Sequence, residues 1–218
     1  LGTALVFTSG TSRLVVAMSR NRNIPRFFGK IARSGLPVRA LFINWIIGMI
    51  LLAPLPGWNL LAGIVSATTM LTAAIASLTL MALRKEHPEL ARPFRTPAAR
   101  LTGTASFIFA SLITYWCGWT VNETVLLVLG VGIMLLLLTI PGMGSKGREL
   151  KIRHALWLVP WIGGLFTLSL LSDYSGGLAI IPAPWGELAV ILWCLIVAPI
   201  GVRSALDRET STRILDEV

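Results

Sequence analysis

The sequence predicts an all-α integral membrane protein, and three observations carry that reading. Hydrophobic residues fill 55% of the 218 positions and charged residues only 13%, whereas a soluble domain carries about 25% charge. Apolar runs of roughly 17 to 25 residues recur along the chain, the length a helix needs to cross a hydrocarbon core about 30 Å thick. All 19 Lys and Arg fall in four segments between those runs. A mean hydropathy of +0.76 agrees with lipid as the main solvent.

Taken in order, Leu1 to Ser12 is too short to span, does not start with Met, and lacks the basic start and cleavage site of a signal peptide. It is expected to be the end of a truncated helix. Six full spans are expected at about 38–55, 59–83, 101–119, 124–140, 155–172 and 187–203. Trp58, Trp119 and Trp185 sit at the outer ends of spans, where amphipathic rings favour the membrane interface. Trp45 and Trp193 lie deeper, and packing is their expected use.

The basic segments cover residues 13–39, 84–100, 146–153 and 203–213, while the connections PLPGWN (54–59), TVNE (120–123) and DYSGGLAIIPAPWGE (173–187) contain no Lys or Arg. The two kinds alternate strictly. Under the positive-inside rule, residues 20–37, 84–100, 142–154 and 204–218 are cytoplasmic, C-terminus included, and Arg13 marks the cytoplasmic end of the partial first helix. The expected location is the cell inner (plasma) membrane, multi-pass. A net charge of +9 also raises nucleic-acid binding. Orientation explains that charge without a nucleic-acid partner, with anionic lipid contact as a by-product.

Catalytic chemistry has no visible constellation. Cys117 and Cys194 lie within spans and read as small packing residues rather than a disulfide. His87 and His154 stand singly in basic loops, so no metal site is expected. There is no P-loop, no G-x-G-x-x-G after a strand, no G-x-S-x-G and no H-E-x-x-H. No enzyme activity and no cofactor are expected.

Hydroxyls inside spans are a better lead, because in hydrocarbon each must find a partner or face a water-filled cavity. Two groups qualify: FTSGTSR, residues 7–13, and SATTMLT, residues 66–72. Helix packing is the competing reading, since small residues and hydroxyls also let spans approach closely.

Two further stretches bring a family into view. SRLVVAMSRNRNIPRFFGKIARSGLPVRAL resembles the segment after the eighth helix of amino acid, polyamine and organocation (APC) superfamily transporters, and LRKEHPELARPFRTP resembles their loop after the tenth. The motifs occur in the right order, about 50 residues apart, with two spans of suitable size between their loops. INWIIGMILLAPLPGW, RPFRTP and ITYWCGW are most similar to the aspartate-proton symporter branch. The likeness covers residues 1–140, read as the C-terminal part of a permease domain from the end of helix eight to helix twelve. Residues 141–218 then add two transmembrane helices and a cytoplasmic tail, as in fourteen-helix branches.

The resemblance implies a LeuT-like fold of two inverted five-helix repeats, with substrate near the bilayer midplane between broken first and sixth helices that this stretch does not include. Phe7 falls where relatives place a substrate-lining aromatic, with an ordinary lipid or core Phe as the alternative. Thr11 and Ser12 match the hydroxyl pair that holds an ion in sodium-coupled members. Proton-coupled members replace that ion with a lysine on the fifth helix, so the coupling ion stays open. Ser66 lies near a substrate-facing hydroxyl position, and Thr69 is one turn further on. Many relatives carry a Tyr where this chain has Ala73 and Ala74, which weakens any copied gate.

The expected function is secondary active transport of amino acids by alternating access, as a proton-coupled symporter. An amino acid exchanger and a non-transporting membrane interaction module are the alternatives. Expected partners are an amino acid substrate, a proton or sodium as coupling ion, and the lipid bilayer; the sequence leaves the oligomeric state unassigned.

Overall fold

The computed structural model describes residues 2–20, 26–32, 35–52, 57–89, 96–139 and 152–204. The expected cytoplasmic tail, most of the 142–154 connection and the RPFR part of the second motif lie outside the described residues. Seven α-helices are present among them: α1 (Gly2–Arg20), α2 (Val38–Leu52), α3 (Trp58–Glu86), α4 (Ala99–Trp116), α5 (Trp119–Thr139), α6 (Leu158–Leu171) and α7 (Trp185–Arg203). A helix falls in each of the six expected spans, but among the described residues only α3 and α7 are by themselves long and apolar enough to cross a membrane, or three spans if the bent α4–α5 pair counts as one.

Lengths separate these helices. At 1.5 Å per residue, α3 with 29 residues reaches about 44 Å and α7 with 19 about 29 Å, enough to cross a bilayer core. By the same rise α2, with 15 residues, and α6, with 14, reach only about 22 and 21 Å. Both are apolar along their length, and such short helices suit a locally thinned bilayer or continuation into their connections.

Two boundaries differ from expectation. The first helix does not stop at Ser12 but runs to Arg20, so Arg13 is exposed within the helix and not at its end. Ser19, buried in that extra stretch, packs against Gly29 of a 3₁₀ turn (Arg26–Gly29), at a place where a Cβ would collide. The second difference concerns TVNE, expected as a loop, which is the first turn of α5. The actual break is Cys117–Gly118, where the axis bends by 108°. Gly118 has φ +81, a left-handed conformation that ends a helix cheaply only in glycine, and its amide bonds the Tyr115 carbonyl at 3.1 Å.

The chain forms two compact units, Leu1–Trp58 with Val128–Leu150, and Asn59–Leu127 with Lys151–Val218. In the first, α1 turns Ser12, Val16 and Ser19 inward at four- and three-residue spacing, one helical stripe. Arg39 of α2 lies 4.2 Å over the Phe27 ring and donates to the Phe27 carbonyl at 3.2 Å, tying the 3₁₀ turn to α2. Trp45, expected to pack, is instead 61% exposed and stacks on Phe42 of its own helix.

In the second unit α3 buries Ala67, Leu71, Ala74, Leu78 and Met81, again a single stripe. The centre lies between α4, α6 and α7, where Phe107, Tyr115, Trp161, Leu165 and Val190 are fully covered. Gly164 admits the Trp193 indole and Gly186 admits the Tyr115 hydroxyl, each where a side chain would overlap. Cys194 is buried on the packed face of α7, while the Cys117 thiol points to the Ile113 carbonyl at 3.3 Å. The last two helices thus build one core with α4.

Candidate functional site

The candidate residues singled out from sequence lie on helices of both units: Phe7, Thr11 and Ser12 on α1 of the first, Ser66 and Thr69 on α3 of the second. On α1, Phe7 and Thr11 are four residues apart and about 40° apart in projection. Both are exposed. Thr11 Oγ1 donates to the Phe7 carbonyl at 2.9 Å, or to Thr8 at 3.2 Å, and accepts from Asn44 Nδ2 of α2 at 3.1 Å. Ser12 faces the other way: it is 2% exposed, on the stripe packed inside its unit, and donates to the Ser9 carbonyl at 2.9 Å. The adjacent pair therefore divides between an open face and a packed one, with Asn44 beside its open member.

On α3 the open side is lined by small and hydroxylated residues. Ser66, Thr69, Thr72, Ala73 and Ala76 are all exposed and lie opposite the Ala67–Leu71–Ala74–Leu78 stripe. Thr69 donates to the Val65 carbonyl at 2.7 Å and Thr72 to Thr68 at 2.9 Å. A threonine has one O–H, so these hydroxyls, committed to their own helix, offer only lone pairs outward. Such a surface accepts hydrogen bonds from an ammonium group or ligates a cation. Thr69 and Thr72 therefore have no proton to donate to a carboxylate, while the exposed Ser66 hydroxyl still carries an O–H.

Sequence reading missed two polar centres of the second unit. Asn122, placed in the expected TVNE loop, is fully buried and donates to the Thr114 carbonyl at 3.0 Å and to Ser169 Oγ at 2.8 Å. It thereby joins the last turn of α4, the first of α5 and the end of α6. Trp161 reaches Ser111 Oγ at 3.3 Å in the same core. The second centre gathers on Glu187, whose Oε1 accepts from Tyr174 at 2.6 Å and Trp116 at 3.4 Å. Tyr174 meets the Tyr115 ring edge-on at 5.4 Å. Its hydrogen bond to Glu187, followed by burial, pushes the Tyr174 phenol up to about 12, so it is a donor throughout the physiological range. The single signal for both centres was a polar residue beside an apolar run.

The two histidines are held apart, His87 with Nδ1 3.4 Å from Glu89 and His154 with Nδ1 2.9 Å from the Ser204 carbonyl. Among the described residues no group of three His, Cys, Asp or Glu side chains converges in a way that would hold a metal.

An all-helical chain with bilayer-length apolar helices and hydroxyl-lined open faces defines a polytopic membrane protein. The sequence pattern of the amino acid permease family matches residues 1–167, and the chain belongs to that family. The match runs past residue 140 into α6, consistent with the shared packing of α4, α6 and α7. Among curated proteins, the glutamate/serine transporter AimA of Bacillus subtilis is 30% identical over 210 residues, covering 95% of this chain and 39% of the relative. The aspartate-proton symporter of the same organism is 30% identical over 205 residues, covering 88% of this chain and 39% of that protein. The chain thus spans about two fifths of the length of these relatives. No solved structure matches it.

Proposed function

We propose that this chain is the C-terminal part of a secondary amino acid transporter that works by alternating access and couples uptake to protons. Family membership and two transporters among its relatives support the class; its likeness to an aspartate-proton symporter supports the proton. The observation that carries the site is the α3 face, where Ser66 and Thr69 lie open and the bonded threonines turn only lone pairs outward. That chemistry fits the α-ammonium group carried by every amino acid and leaves recognition of the side chain to other elements. On α1, taken by itself, Phe7 is the candidate aromatic for an aliphatic part of a substrate, and Thr11, braced by Asn44, the candidate hydroxyl for coupling. Ser12 contributes by holding α1 in place. The basic connections face the cytoplasm, as the segregation of all 19 cations supports, and the membrane is the plasma membrane.

Purified full-length protein in liposomes, given aspartate, glutamate or serine, should accumulate substrate when the lumen is made alkaline and stop when a protonophore collapses the gradient. Uptake that follows a sodium gradient at constant pH would overturn proton coupling. Uptake only into liposomes preloaded with amino acid would establish an exchanger.

A further inference from the structure

At the basic end of the second unit, α3, α4 and α7 enclose a cavity of about 590 Å³ that the transport reading does not use. Four cations line it: Arg84 and Lys85 from the last turn of α3, Arg100 from the first turn of α4, and Arg203 from the last turn of α7. Among the described residues no carboxylate lines it, and Glu86, adjacent in sequence, pairs with Lys85 at 3.1 Å. Arg84 is braced by its bond to the Thr96 carbonyl at 3.0 Å and keeps a buried Nε without a partner among the described residues. The 18-residue helix α4 points its N-terminus at the same space, preceded by Ala98, which is left-handed and gives no side-chain cap. Uncapped N–H groups there add positive potential.

Three unrelated stretches of sequence therefore converge to concentrate positive charge where like charges would otherwise repel. Such an arrangement is stabilised by an anion carrying several acceptor oxygens. The rest of the wall is apolar: Met81, Leu195, Pro199 and Val202. From Arg203 to Leu195 the α7 wall climbs eight residues, about 12 Å, from the interface towards the hydrocarbon. A free phosphate would use only the charged end.

We propose that this cavity is a binding site for an anionic phospholipid, its phosphate held by Arg84, Arg100 and Arg203 and its glycerol and upper acyl chain lying along α7. Basic pockets between transmembrane helices are suited to such headgroups, and each cation near the surface is worth roughly a fivefold change in affinity.

Native mass spectrometry of the full-length protein in detergent tests it, with phosphatidylglycerol, phosphatidylcholine and inorganic phosphate as probes. Phosphatidylglycerol should bind at least about tenfold more tightly than phosphatidylcholine. The triple variant Arg84→Gln, Arg100→Gln, Arg203→Gln should lose that preference, whereas Arg13→Gln, Arg20→Gln, Lys30→Gln should keep it. If the first triple variant does not fold, the exposed Arg203→Gln alone should weaken phosphatidylglycerol binding about fivefold. Equal binding of the two lipids, equal loss in both triple variants, or unchanged binding by Arg203→Gln would overturn the site. Inorganic phosphate displacing phosphatidylglycerol at equal concentration would show an anion site and overturn the lipid assignment.

Discussion

Removing Asn122 tests whether the turn between α4 and α5 is held by side-chain chemistry. Its Nδ2 donates to two groups, the Thr114 carbonyl at 3.0 Å and Ser169 Oγ at 2.8 Å, in a site closed to solvent. Its Oδ1 is buried there without a partner among the described residues, an existing penalty that any apolar substitute relieves. A single Asn122→Ala value therefore mixes a gain, two losses and a cavity. A double-mutant cycle with Ser169→Ala removes that ambiguity, because the Oδ1 and cavity contributions occur with and without the partner and cancel. Hydrogen bonds between membrane helices average about 0.6 kcal/mol in such cycles and reach about 1.7. At 2.8 Å and fully buried, this one belongs in the upper half, about 1 to 1.7 kcal/mol. Equilibrium unfolding in mixed micelles at rising dodecyl sulfate fraction, followed by near-ultraviolet circular dichroism, gives the four free energies. A coupling below about 0.3 kcal/mol, within the usual error of additivity, would refute the bond.

Three other perturbations test the helices and the Glu187 centre. Gly186→Ala drives a methyl into the buried Tyr115 hydroxyl and should cost about 1–3 kcal/mol in the unfolding assay, partly recovered by Tyr115→Phe. Gly130→Ala, which meets nothing within 4 Å on helix α5, should be neutral or stabilise by up to about 1 kcal/mol. Difference absorbance titration of the protein against Tyr174→Phe should place the Tyr174 midpoint near 12, and Glu187→Gln should return it towards 10. Because the phenol is raised in the folded state, its contribution to stability is complete below pH 10 and lost as pH rises to about 12. A midpoint at 10 in the unmodified protein would show that the bond to Glu187 is not formed.

The helices were legible because lipid imposes one requirement on every span, a continuous apolar run, and each of the six runs does contain a helix. Charge marked only some ends: Arg84, Lys85 and Arg203 stand in last turns, whereas Arg13, expected at the end of the first helix, lies inside it, and α2, α5 and α6 end without a basic residue. Less visible was anything that depends on a polar residue turning inward. TVNE has the composition of a loop, yet Asn122 satisfies the end of α4 from within α5, and Gly118 makes the turn one residue before Trp119. Ser12 and Thr11 look equivalent in sequence and differ only once packing shows which side of α1 is covered. Arg84, Arg100 and Arg203 read as separate orientation signals; their convergence on one cavity requires the packing of α3, α4 and α7. Sequence separations of 16 and 103 residues carry no trace of it.

The proposed transport path is tested most directly by substrate protection on α3. In full-length protein whose native cysteines, Cys117 and Cys194 included, have been replaced, cysteine would be placed in turn at Ser66, Thr69 and the packed Ser77. Each variant would be labelled with a membrane-impermeant thiol reagent, with and without saturating aspartate, glutamate or serine. Ser66→Cys and Thr69→Cys should react and be shielded by one of these amino acids, while Ser77→Cys stays unreactive. If residues 66 and 69 are as inert as residue 77, or label at the same rate whatever amino acid is present, the open face of α3 does not line the path.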